Sequence, residues 1–396
     1  MTPWRVLLIS DHFHPVVGGA ETLAHELAKG LAAGGDEVWV LTQRVPRTAP
    51  AEERRDGYTI RRLWVPRMLG RLWFMLFAGF FASARAPRVD VIHAAGYGSM
   101  WPARFVAWWR RVPAVVTVYE VLGDNWFSAS GLPWGSAAAF RSWERSLMRL
   151  GFSRYLCISR YTADRLAGLA GISTERIDVV YPPVDYDFWQ AGRYSARPLR
   201  EELGLQPDCR IALFFGRPGV SKGVDTLLAA VAELAKDASQ PVHCVLLLAR
   251  EPAAGRAAAE RFVARHGLRG HVSILESVPR AALPSYLLAA SCVVIPSLSE
   301  GFGYSAVEAA TLGCRLVVTA GHVFEEVLCD RARYVPARDP VRLAVAIRDV
   351  AWAAPAGSSV GAPLPPVYDL ERHLRGVRAA YDRVLGHYAA ASTARS

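Results

Sequence analysis

Short, continuously apolar segments alternate with helical segments along most of this 396-residue chain, and this alternation restricts the fold more than any other feature. The first apolar segment, 5–10, precedes a glycine-containing loop and a helix predicted over about 21–33. Strands that are apolar on both faces and are separated by helices are typical of a parallel sheet covered on both sides. The sequence therefore predicts an α/β fold with mostly parallel sheets.

The alternation occurs in both halves of the chain. In the first half, further strands are predicted at 36–42, 58–63, 90–93, 114–119, 155–158 and 177–180. In the second half, strands are predicted at 211–216, 242–248, 272–275, 292–296 and 315–319, the last of these being the final strand. Helices are predicted there at 223–235, 283–290 and 305–312.

A linker divides the chain into two predicted domains. Pro182-Pro183 interrupts both helix and strand, and a polar segment follows it. Because 396 residues are too many for one ordinary core, we expect one domain over 1–182 and another over 183–366. After a proline-rich stretch at 352–366, helical periodicity predicts a terminal helix within 367–396 that packs back on the first domain.

Composition excludes several classes of protein. Hydrophobic residues make up 52% of the chain and charged residues 21%, which indicates a folded protein. The six cysteines form no CxxC pair and lack metal-ligand spacing, so we expect small buried side chains in a reducing compartment. The longest apolar stretch, 72–84, is shorter than the roughly 20 residues of a membrane-spanning helix. We therefore expect a cytoplasmic protein that does not cross a membrane.

The net charge of +10 is concentrated in residues 44–111, which contain thirteen arginines and four acidic residues. No nucleic-acid-binding signature accompanies these arginines, so nucleic acid is not an expected partner. Aromatic residues lie among them, namely Trp64, Trp73, Phe74, Phe77, Phe80, Phe81, Trp101, Trp108 and Trp109. This mixture suits the headgroup region of an anionic membrane and predicts peripheral attachment to the inner face of the cell membrane. A solvated arginine-rich surface, with a core helix at 72–84, is the alternative.

Two loops that follow strands have the residues of a phosphate-binding site. In the first half, Gly18-Gly19-Ala20-Glu21 lies between the first strand and the first helix, where main-chain N–H groups can approach an anion. In the second half, Arg217 and Lys222 follow the strand at 211–216, and such a pair of cations suits a diphosphate. A tight turn without a ligand and two exposed cations are the respective alternatives.

A pair of glutamates follows the strand predicted at 292–296. Glu300 lies in the loop, Glu308 lies in the next helix, and Gly301 and Gly303 free the main chain around Phe302 to contact a ligand. Carboxylates at this spacing suit the hydroxyl groups of a sugar or a ribose. An acid stabilised by the dipole of the first helical turn is the alternative for Glu308.

Together these motifs resemble the family-4 group of retaining glycosyltransferases, which have the GT-B fold. The matching segments are Gly18-Gly19-Ala20-Glu21, Ile158-Ser159, Pro183-Val184-Asp185, Gly216-Arg217 with Lys222-Gly223, and Glu300-Gly301-Phe302-Gly303 with Glu308-Ala309. The resemblance covers essentially the whole chain. It implies two Rossmann-like domains that face each other across a cleft, and the transfer of a sugar, expected to be a hexose, from a nucleotide-diphosphate sugar.

The resemblance also implies roles for these residues. Arg217 and Lys222 would neutralise the donor diphosphate, Glu308 would bind the ribose, and Glu300 with the amides of 301–303 would contact the transferred sugar. Gly18 and Gly19 would approach the diphosphate from the opposite domain. We expect front-face displacement with retention, in which the leaving diphosphate accepts the proton of the acceptor hydroxyl, without a metal or a cofactor. The expected acceptor is a glycan, a lipid-linked sugar or a small molecule.

One position departs from the family pattern. The family usually ends the strand at 114–119 with a histidine that reaches the sugar, whereas this chain has Tyr119 there. Tyr119 therefore joins Arg217, Lys222 and Glu300 as a catalytic candidate. Four residues are candidates for acceptor binding, and they are His93, Glu120, Asp124 and Asn125. A packed histidine at a strand end is the alternative for His93, and a surface loop is the alternative for Asp124 and Asn125.

Other functions also fit parts of the sequence. A nucleotide-sugar epimerase would use the same phosphate-binding groups, and a binding-only relative would explain the missing histidine. A nicotinamide-dependent oxidoreductase is disfavoured because Gly301–Ala306 fits the pattern GxGxxA but does not directly follow a strand. Asp185-Tyr186-Asp187 resembles a metal-binding motif but lies beside two prolines in the linker, so no metal site is predicted.

Overall fold

A computed structural model of the chain describes residues 3–16, 18–85, 87–237, 239–353 and 363–393. Residues 354–362 of the predicted proline-rich stretch and 394–396 of the predicted terminal segment lie outside the described residues. The chain divides into two compact units. The first contains Met1–Gly123, Ala138–Pro183 and Tyr368–Ser396, and the second contains Asp124–Ala137 and Val184–Val367. Residues 124–137, which the sequence predicts within the first domain, thus group with the second unit.

Each unit is built on one sheet. The strands are β1 (Arg5–Ser10), β2 (Glu37–Gln43), β3 (Glu52–Arg55), β4 (Tyr58–Leu63), β5 (Val91–Ala95), β6 (Ala114–Val118), β7 (Arg154–Cys157), β8 (Ile177–Val179), β9 (Arg210–Gly216), β10 (Val242–Leu248), β11 (Val272–Glu276), β12 (Cys292–Ile295), β13 (Leu316–Thr319) and β14 (Ala332–Val335). The first sheet has eight strands in the order β3-β4-β2-β1-β5-β6-β7-β8, and the second has six in the order β11-β10-β9-β12-β13-β14.

Helices connect these strands. They are α1 (Gly19–Ala33), α2 (Gly70–Arg85), α3 (Tyr97–Arg110), α4 (Asn125–Ser128), α5 (Trp134–Met148), α6 (Arg160–Ala170), α7 (Leu199–Glu202), α8 (Val224–Leu234), α9 (Ala253–Arg265), α10 (Leu283–Ala289), α11 (Tyr304–Thr311), α12 (Val323–Leu328), α13 (Pro340–Trp352) and α14 (Leu370–Thr393). Short 3₁₀ turns include Val220–Lys222 and Arg280–Ala282.

The predicted α/β class with two parallel sheets is confirmed. The paired strands run parallel in both sheets, except that β3 pairs antiparallel with β4. Two strands were not predicted. β3 has the sequence Glu-Glu-Arg-Arg, without apolar residues, and its pairing with β4 makes it a strand. The prediction that 315–319 is the final strand is wrong, because the half-buried edge strand β14 follows it.

The terminal helix packs on the first unit, as predicted. Val377, Ala380 and Tyr381 of α14 are at most 1% exposed and belong to a core cluster with Val6 and Leu8 of β1. A hydrogen bond from His373 Nδ1 to Tyr181 O, 2.9 Å long, adds a polar contact near the start of the helix. The helix therefore covers one face of the first sheet.

Cysteine burial follows the prediction at five of six positions. Cys157, Cys209, Cys244, Cys292 and Cys314 are buried free thiols, whereas Cys329 is exposed, so the prediction is wrong for Cys329. Within the described residues, no helix combines the length and the apolar character needed to cross a bilayer.

Candidate active site

The strand order places the candidate loops of each unit at a point where the winding of the sheet reverses. In the second sheet β9 lies between β10 and β12, and in the first sheet β1 lies between β2 and β5. Ligands of open α/β sheets bind outside the carboxyl ends of the strands at such a point. The loops after β9 and β12 contain Arg217, Lys222 and Glu300, so the topology brings these predicted residues to one edge of the second sheet.

The loop after β9 is held tightly against the loop after β12. Leu298 N donates to Ser221 O at 2.7 Å, which joins the two loops. Gly223 has φ +66°, and a Cβ there would lie 2.0 Å from Pro296 O, so a side chain does not fit. Arg217, directly after β9, is exposed, and its guanidinium has no hydrogen bond or ion pair within the described residues. Arg217 is thus a cation that a diphosphate can reach.

Lys222 and Glu300 form an ion pair. Lys222 Nζ lies 2.5 Å from Glu300 Oε1, and the side chains are 23% and 14% exposed. Ser297 Oγ donates to the same carboxylate oxygen at 2.9 Å, and Ser297 O accepts from His322 Nε2 at 2.9 Å. Burial lowers the pKa of His322, although the carbonyl of Ser297 and the charge of Glu300 oppose this. These contacts fix the positions of an ammonium and a carboxylate at the sheet edge.

Glu308 is a half-buried carboxylate in the second turn of α11. It is the fifth residue of that helix, so the alternative of a first-turn acid does not apply. Burial raises its pKa to about 7, and the charge of Arg280 acts in the opposite direction. Within the described residues, no group donates a hydrogen bond to this carboxylate. Because desolvation of an unsatisfied carboxylate is costly, hydroxyl groups of a ligand would stabilise it.

The segment between the two glutamates buries the side chain of Phe302, so only the main chain of Phe302 is available to a ligand. The Phe302 side chain is 2% exposed and packs against Tyr304 with ring centroids 5.2 Å apart. Gly303 has φ +77°, and a Cβ there would lie 2.3 Å from Phe324 Cε1. Phe302 and Gly303 are therefore needed for close packing, whether or not a ligand binds this segment.

In the first unit, the start of α1 and Tyr119 lie together. Gly18 precedes α1 and Gly19 is its first residue. Tyr119 follows β6, and its hydroxyl donates a long hydrogen bond of 3.5 Å to Ala20 O. Burial and the nearby charges of Glu21 and Asp11 raise the pKa of Tyr119, so it stays a neutral donor. The contacts of Gly18, Gly19 and Tyr119 with a donor remain predictions.

Two buried carboxylates at this edge were missed by the sequence analysis. Asp11 directly follows β1 and accepts from Arg71 Nε at 2.6 Å; burial raises its pKa, but contacts with His12 and Arg71 outweigh burial and lower it. Glu144 accepts from Leu122 N and Gly123 N at 2.8 and 2.7 Å and fixes the segment after β6. The sequence contained a signal for Asp11, because it is a polar residue directly after an apolar strand. Glu144 had no such signal, because it lies about twenty residues after the segment that it binds.

His93 does not lie where the acceptor prediction requires it. It is the third residue of β5, not its last, and it is 0% exposed. Its Nδ1 lies 2.6 Å from the Tyr381 hydroxyl and its Nε2 lies 2.7 Å from Thr117 Oγ1. Burial lowers its pKa to about 3. Both ring nitrogens are used inside the core, so the structure favours a packed histidine.

The other acceptor candidates have different surroundings. Glu120 is half-buried, and its main-chain oxygen accepts from the Tyr97 hydroxyl at 2.6 Å. Asp124 is exposed, and Asn125 Nδ2 donates to Ser299 Oγ at 3.1 Å. Asn125 is thereby brought beside the loop of Glu300, within the second unit. Their contacts with an acceptor remain predictions.

The linker aspartates serve local contacts. Asp185 accepts from Phe188 N at 3.0 Å and lies 3.6 Å from Arg280 Nη2, and Asp187 accepts from Gln190 Nε2 at 3.2 Å. Among the residues that the structure describes, no group of three or more His, Cys, Asp or Glu side chains is arranged to hold a metal ion.

Comparisons with known proteins agree with this geometry. Residues 17–188 match the family described as Glycosyltransferase Family 4, and residues 195–351 match Glycosyl transferases group 1. A D-inositol 3-phosphate glycosyltransferase of Catenulispora acidiphila is 29% identical over 80% of this chain and 80% of its own length. Among solved structures, sucrose-phosphate synthase from Thermosynechococcus elongatus has a TM-score of 0.72 at 21% identity, covering 99% of this chain and 100% of that one. HepE of Anabaena, solved in complex with UDP-glucose, has a TM-score of 0.72 at 17% identity, covering 96% and 100%.

Proposed function

The chain belongs to the group 1 glycosyltransferases of the GT-B fold, and we propose that it moves a sugar from a nucleotide-diphosphate sugar to an acceptor hydroxyl with retention of anomeric configuration. The observation that supports this proposal best is the ion pair of Lys222 and Glu300 at the reversal point of the second sheet. The carboxylate of Glu308, to which no described group donates a hydrogen bond, lies in the helix that follows. HepE, which has the same fold and was solved with UDP-glucose, supports a donor of the same class.

In the proposed donor complex, each of the four candidate side chains of the second unit has a partner on the donor. Arg217 and Lys222 bind the diphosphate oxygens, and Lys222 thereby exchanges part of its contact with Glu300 for phosphate. Glu300 then accepts from hydroxyl groups of the transferred sugar. Glu308 accepts from the ribose hydroxyls, which stabilise its ionised form and lower its pKa from about 7.

The proposed reaction breaks the bond between the anomeric carbon and the diphosphate oxygen on the face that the acceptor attacks. The acceptor oxygen forms the new glycosidic bond, and its proton passes to a diphosphate oxygen. Negative charge that builds on the diphosphate is stabilised by Arg217 and Lys222, whose positions are set before the reaction. This route uses no covalent intermediate on the protein and no metal ion.

We propose an acceptor that carries a lipid, and therefore that the first unit works at an anionic membrane surface. We call one surface of this unit the aromatic face; it consists of Leu72, Leu76, Phe77, Phe80, Phe81, Trp101, Trp108 and Trp109. Each of these side chains is between 37% and 64% exposed. Such a set is unusual on a surface exposed only to water. Asp90 is the one acidic residue between Gly57 and Tyr119, so the charge of this region is complementary to anionic lipid.

Only part of α2 belongs to the core. Phe74, Ala78 and Ala82 are at most 3% exposed, whereas Leu76 and Phe80 are 58% and 59% exposed. The alternative of a core helix at 72–84 thus accounts for one side of α2 and leaves the aromatic face unexplained. Shallow burial of this face in a bilayer would cover it.

A panel of nucleotide sugars tests the proposed reaction. We expect release of nucleoside diphosphate with at least one member of the panel, and release that is slower but still measurable in Glu308→Gln. The anomeric proton coupling of the product, measured by NMR, then reports stereochemistry: a product with the configuration of the donor supports retention, and the opposite configuration would refute it. An epimerase would convert the donor sugar without releasing diphosphate.

A further inference from the structure

A polar cavity lies at the amino ends of the strands of the first sheet, opposite the edge that holds the candidate residues. Its volume is about 370 Å³. We call it the α3–α14 pocket; its polar and aromatic lining consists of Arg104, Trp108, Arg111, Ser153 and Tyr388. Ala114, the first residue of β6, also lines it, whereas Tyr119 follows the far end of that strand. At 3.3 Å per residue the two ends are roughly 16 Å apart, so the pocket is separate from the candidate active site.

The pocket has an uncompensated positive charge. None of the described residues that line it is acidic. Arg111 is exposed and has no side-chain hydrogen bond or ion pair within the described residues, whereas its neighbour Arg110 donates to Pro87 O at 2.6 Å and to Ser83 O at 2.9 Å. Arg104 donates through Nε to Leu150 O at 3.0 Å, and its terminal nitrogens have no partner among the described groups. Two guanidinium groups in one cavity suit a phosphate.

The backbone at Arg111 is unfavourable for an arginine. Arg111 caps the end of α3 with φ 53°, a left-handed conformation in which glycine is usual. The helix dipole stabilises a cation near the carboxyl end of a helix, but a residue of the last turn with ordinary helical φ gains this stabilisation as well. Glycine at position 111 would therefore fit the backbone at least as well as arginine does.

The pocket is continuous with the aromatic face. Trp108 lines the pocket and is 64% exposed. Its ring lies 6.3 Å from that of Trp109 and 6.1 Å from that of Phe105, and Phe105 lies 4.7 Å from Phe80. A ligand that bears a phosphate and an apolar chain can contact both regions at once.

We propose that the α3–α14 pocket binds a phosphate ester, the chemistry that phospholipid headgroups and soluble sugar phosphates share. If the phosphate ester is a phospholipid, the inference rests on the proposed membrane attachment. It does not rest on the proposed glycosyl transfer. Arg104 and Arg111 pair with the phosphate oxygens, and Ser153 and Tyr388 offer hydroxyl groups.

Calorimetric titration of the full chain at low salt tests the pocket without a donor. The probes are dihexanoyl phosphatidylglycerol below its micelle concentration and glycerol 3-phosphate. We expect binding that weakens about tenfold or more in Arg111→Gly and in Arg104→Gln, because each change removes a charged hydrogen-bonding partner. The control is Arg54→Gln, which removes an exposed arginine of β3 that has no partner in the described part of the chain.

The stability of Arg111→Gly separates binding from folding. Its melting temperature should equal or exceed that of the wild type, because glycine suits φ 53°. Binding of the lipid probe alone would identify a headgroup site, and equal binding of both probes would identify a site for soluble phosphate esters. Binding of neither probe at millimolar concentration, or equal binding by wild type and the Arg104→Gln/Arg111→Gly double variant, would overturn the proposal. Diphosphate release from nucleotide sugars is measured separately, so a failure of the proposed reaction can be distinguished from a failure of the pocket to bind phosphate.

Discussion

The carboxyl edges of the two sheets hold their polar groups in different ways. At the second sheet, Lys222, Glu300 and Ser297 form one hydrogen-bonded cluster, and Glu308 follows it with a raised pKa. At the first sheet, the loop before α1 ends in Gly18, α1 begins at Gly19, and the carboxylate of Asp11 is already paired with Arg71. The donor-binding candidates of the second unit are thus mainly side chains whose positions are fixed by hydrogen bonds. The donor-binding candidates of the first unit, Gly18 and Gly19, are expected to bind through their main chain.

The largest effect is expected from removing the charged groups of the second unit. Lys222→Ala and Glu308→Ala should each lower kcat/KM for the donor by ten- to a hundredfold or more, since a lost charged contact costs roughly 1.5–3 kcal/mol. Lys236→Ala is a matched control, because Lys236 also pairs with a glutamate, Glu233, but is 67% exposed. Near-normal transfer by both Lys222→Ala and Glu308→Ala would show that the donor site is elsewhere.

A pair of glycine substitutions compares the packing of the two edges. Gly223→Ala places a Cβ 2.0 Å from the main-chain oxygen of Pro296 at φ +66°, so it should lower the free energy of unfolding by at least about 2 kcal/mol. Gly18→Ala meets only the mobile end of Glu21, at φ −174°, and should cost less than about 0.5 kcal/mol. Urea unfolding measures both. Equal destabilisation by the two substitutions would show that the edge of the second sheet at Gly223 is packed no more tightly than the edge of the first sheet at Gly18.

The two edges should also differ in pH dependence. Burial raises the pKa of Glu308 to about 7, whereas for Asp11 the contacts with His12 and Arg71 outweigh burial and lower the pKa. Because ribose hydroxyls need an ionised acceptor, donor affinity should increase as pH rises through about 7. The raised pKa also means that Glu308 binds its proton more tightly in the folded state than in the unfolded chain. Glu308 should therefore lower the free energy of unfolding as the pH rises from the ordinary pKa of a glutamate toward about 7.

Donor KM and urea unfolding, each measured between pH 5.5 and 8.5, test this prediction. Glu308→Gln should flatten the KM profile across that window, because the amide does not titrate. In urea unfolding, the difference in stability between wild type and Glu308→Gln should change with pH, because both proteins share the contributions of the buried histidines. Asp11→Asn should leave the shape of the KM profile unchanged, since Asp11 stays ionised there. A profile that keeps its shape in Glu308→Gln would assign the titration to another group.

The difference between the edges also explains what the sequence could predict. Arg217, Lys222, Glu300 and Glu308 lie in two short segments that directly follow apolar strands, so their positions could be predicted from local pattern. The strand predicted at 242–248 is the observed β10. By contrast, Asp11 meets Arg71 sixty residues away, and Glu144 binds the amide of Gly123 twenty-one residues before it. Such contacts depend on tertiary packing, which no local pattern encodes.

His93 and β3 show the same limit. The predicted strand ended at His93, which suggested a side chain at the sheet edge, but β5 continues to Ala95 and places His93 inside the core. Its contact with Tyr381 joins residues 288 positions apart. β3 has only charged residues, and its pairing with β4 determines its conformation.

The smallest effect is expected on the surface of the first unit, where many weak contacts would share the attachment to a membrane. Arg67 and Arg54 are both exposed, without a partner among the described groups, but Arg67 lies three residues before α2 and Arg54 lies on β3. Arg67→Gln should weaken co-sedimentation with phosphatidylglycerol vesicles about fivefold, since each cation near an anionic surface contributes about 1 kcal/mol. Arg54→Gln should change it less, and added salt should weaken binding of both variants.

On the aromatic face, Leu76→Gln should also reduce binding, whereas Val345→Gln, at a 49% exposed position of the second unit, should not. Absence of wild-type binding to these vesicles at low salt, or equal losses in Arg67→Gln and Arg54→Gln, would show that the aromatic face does not attach the enzyme to lipid.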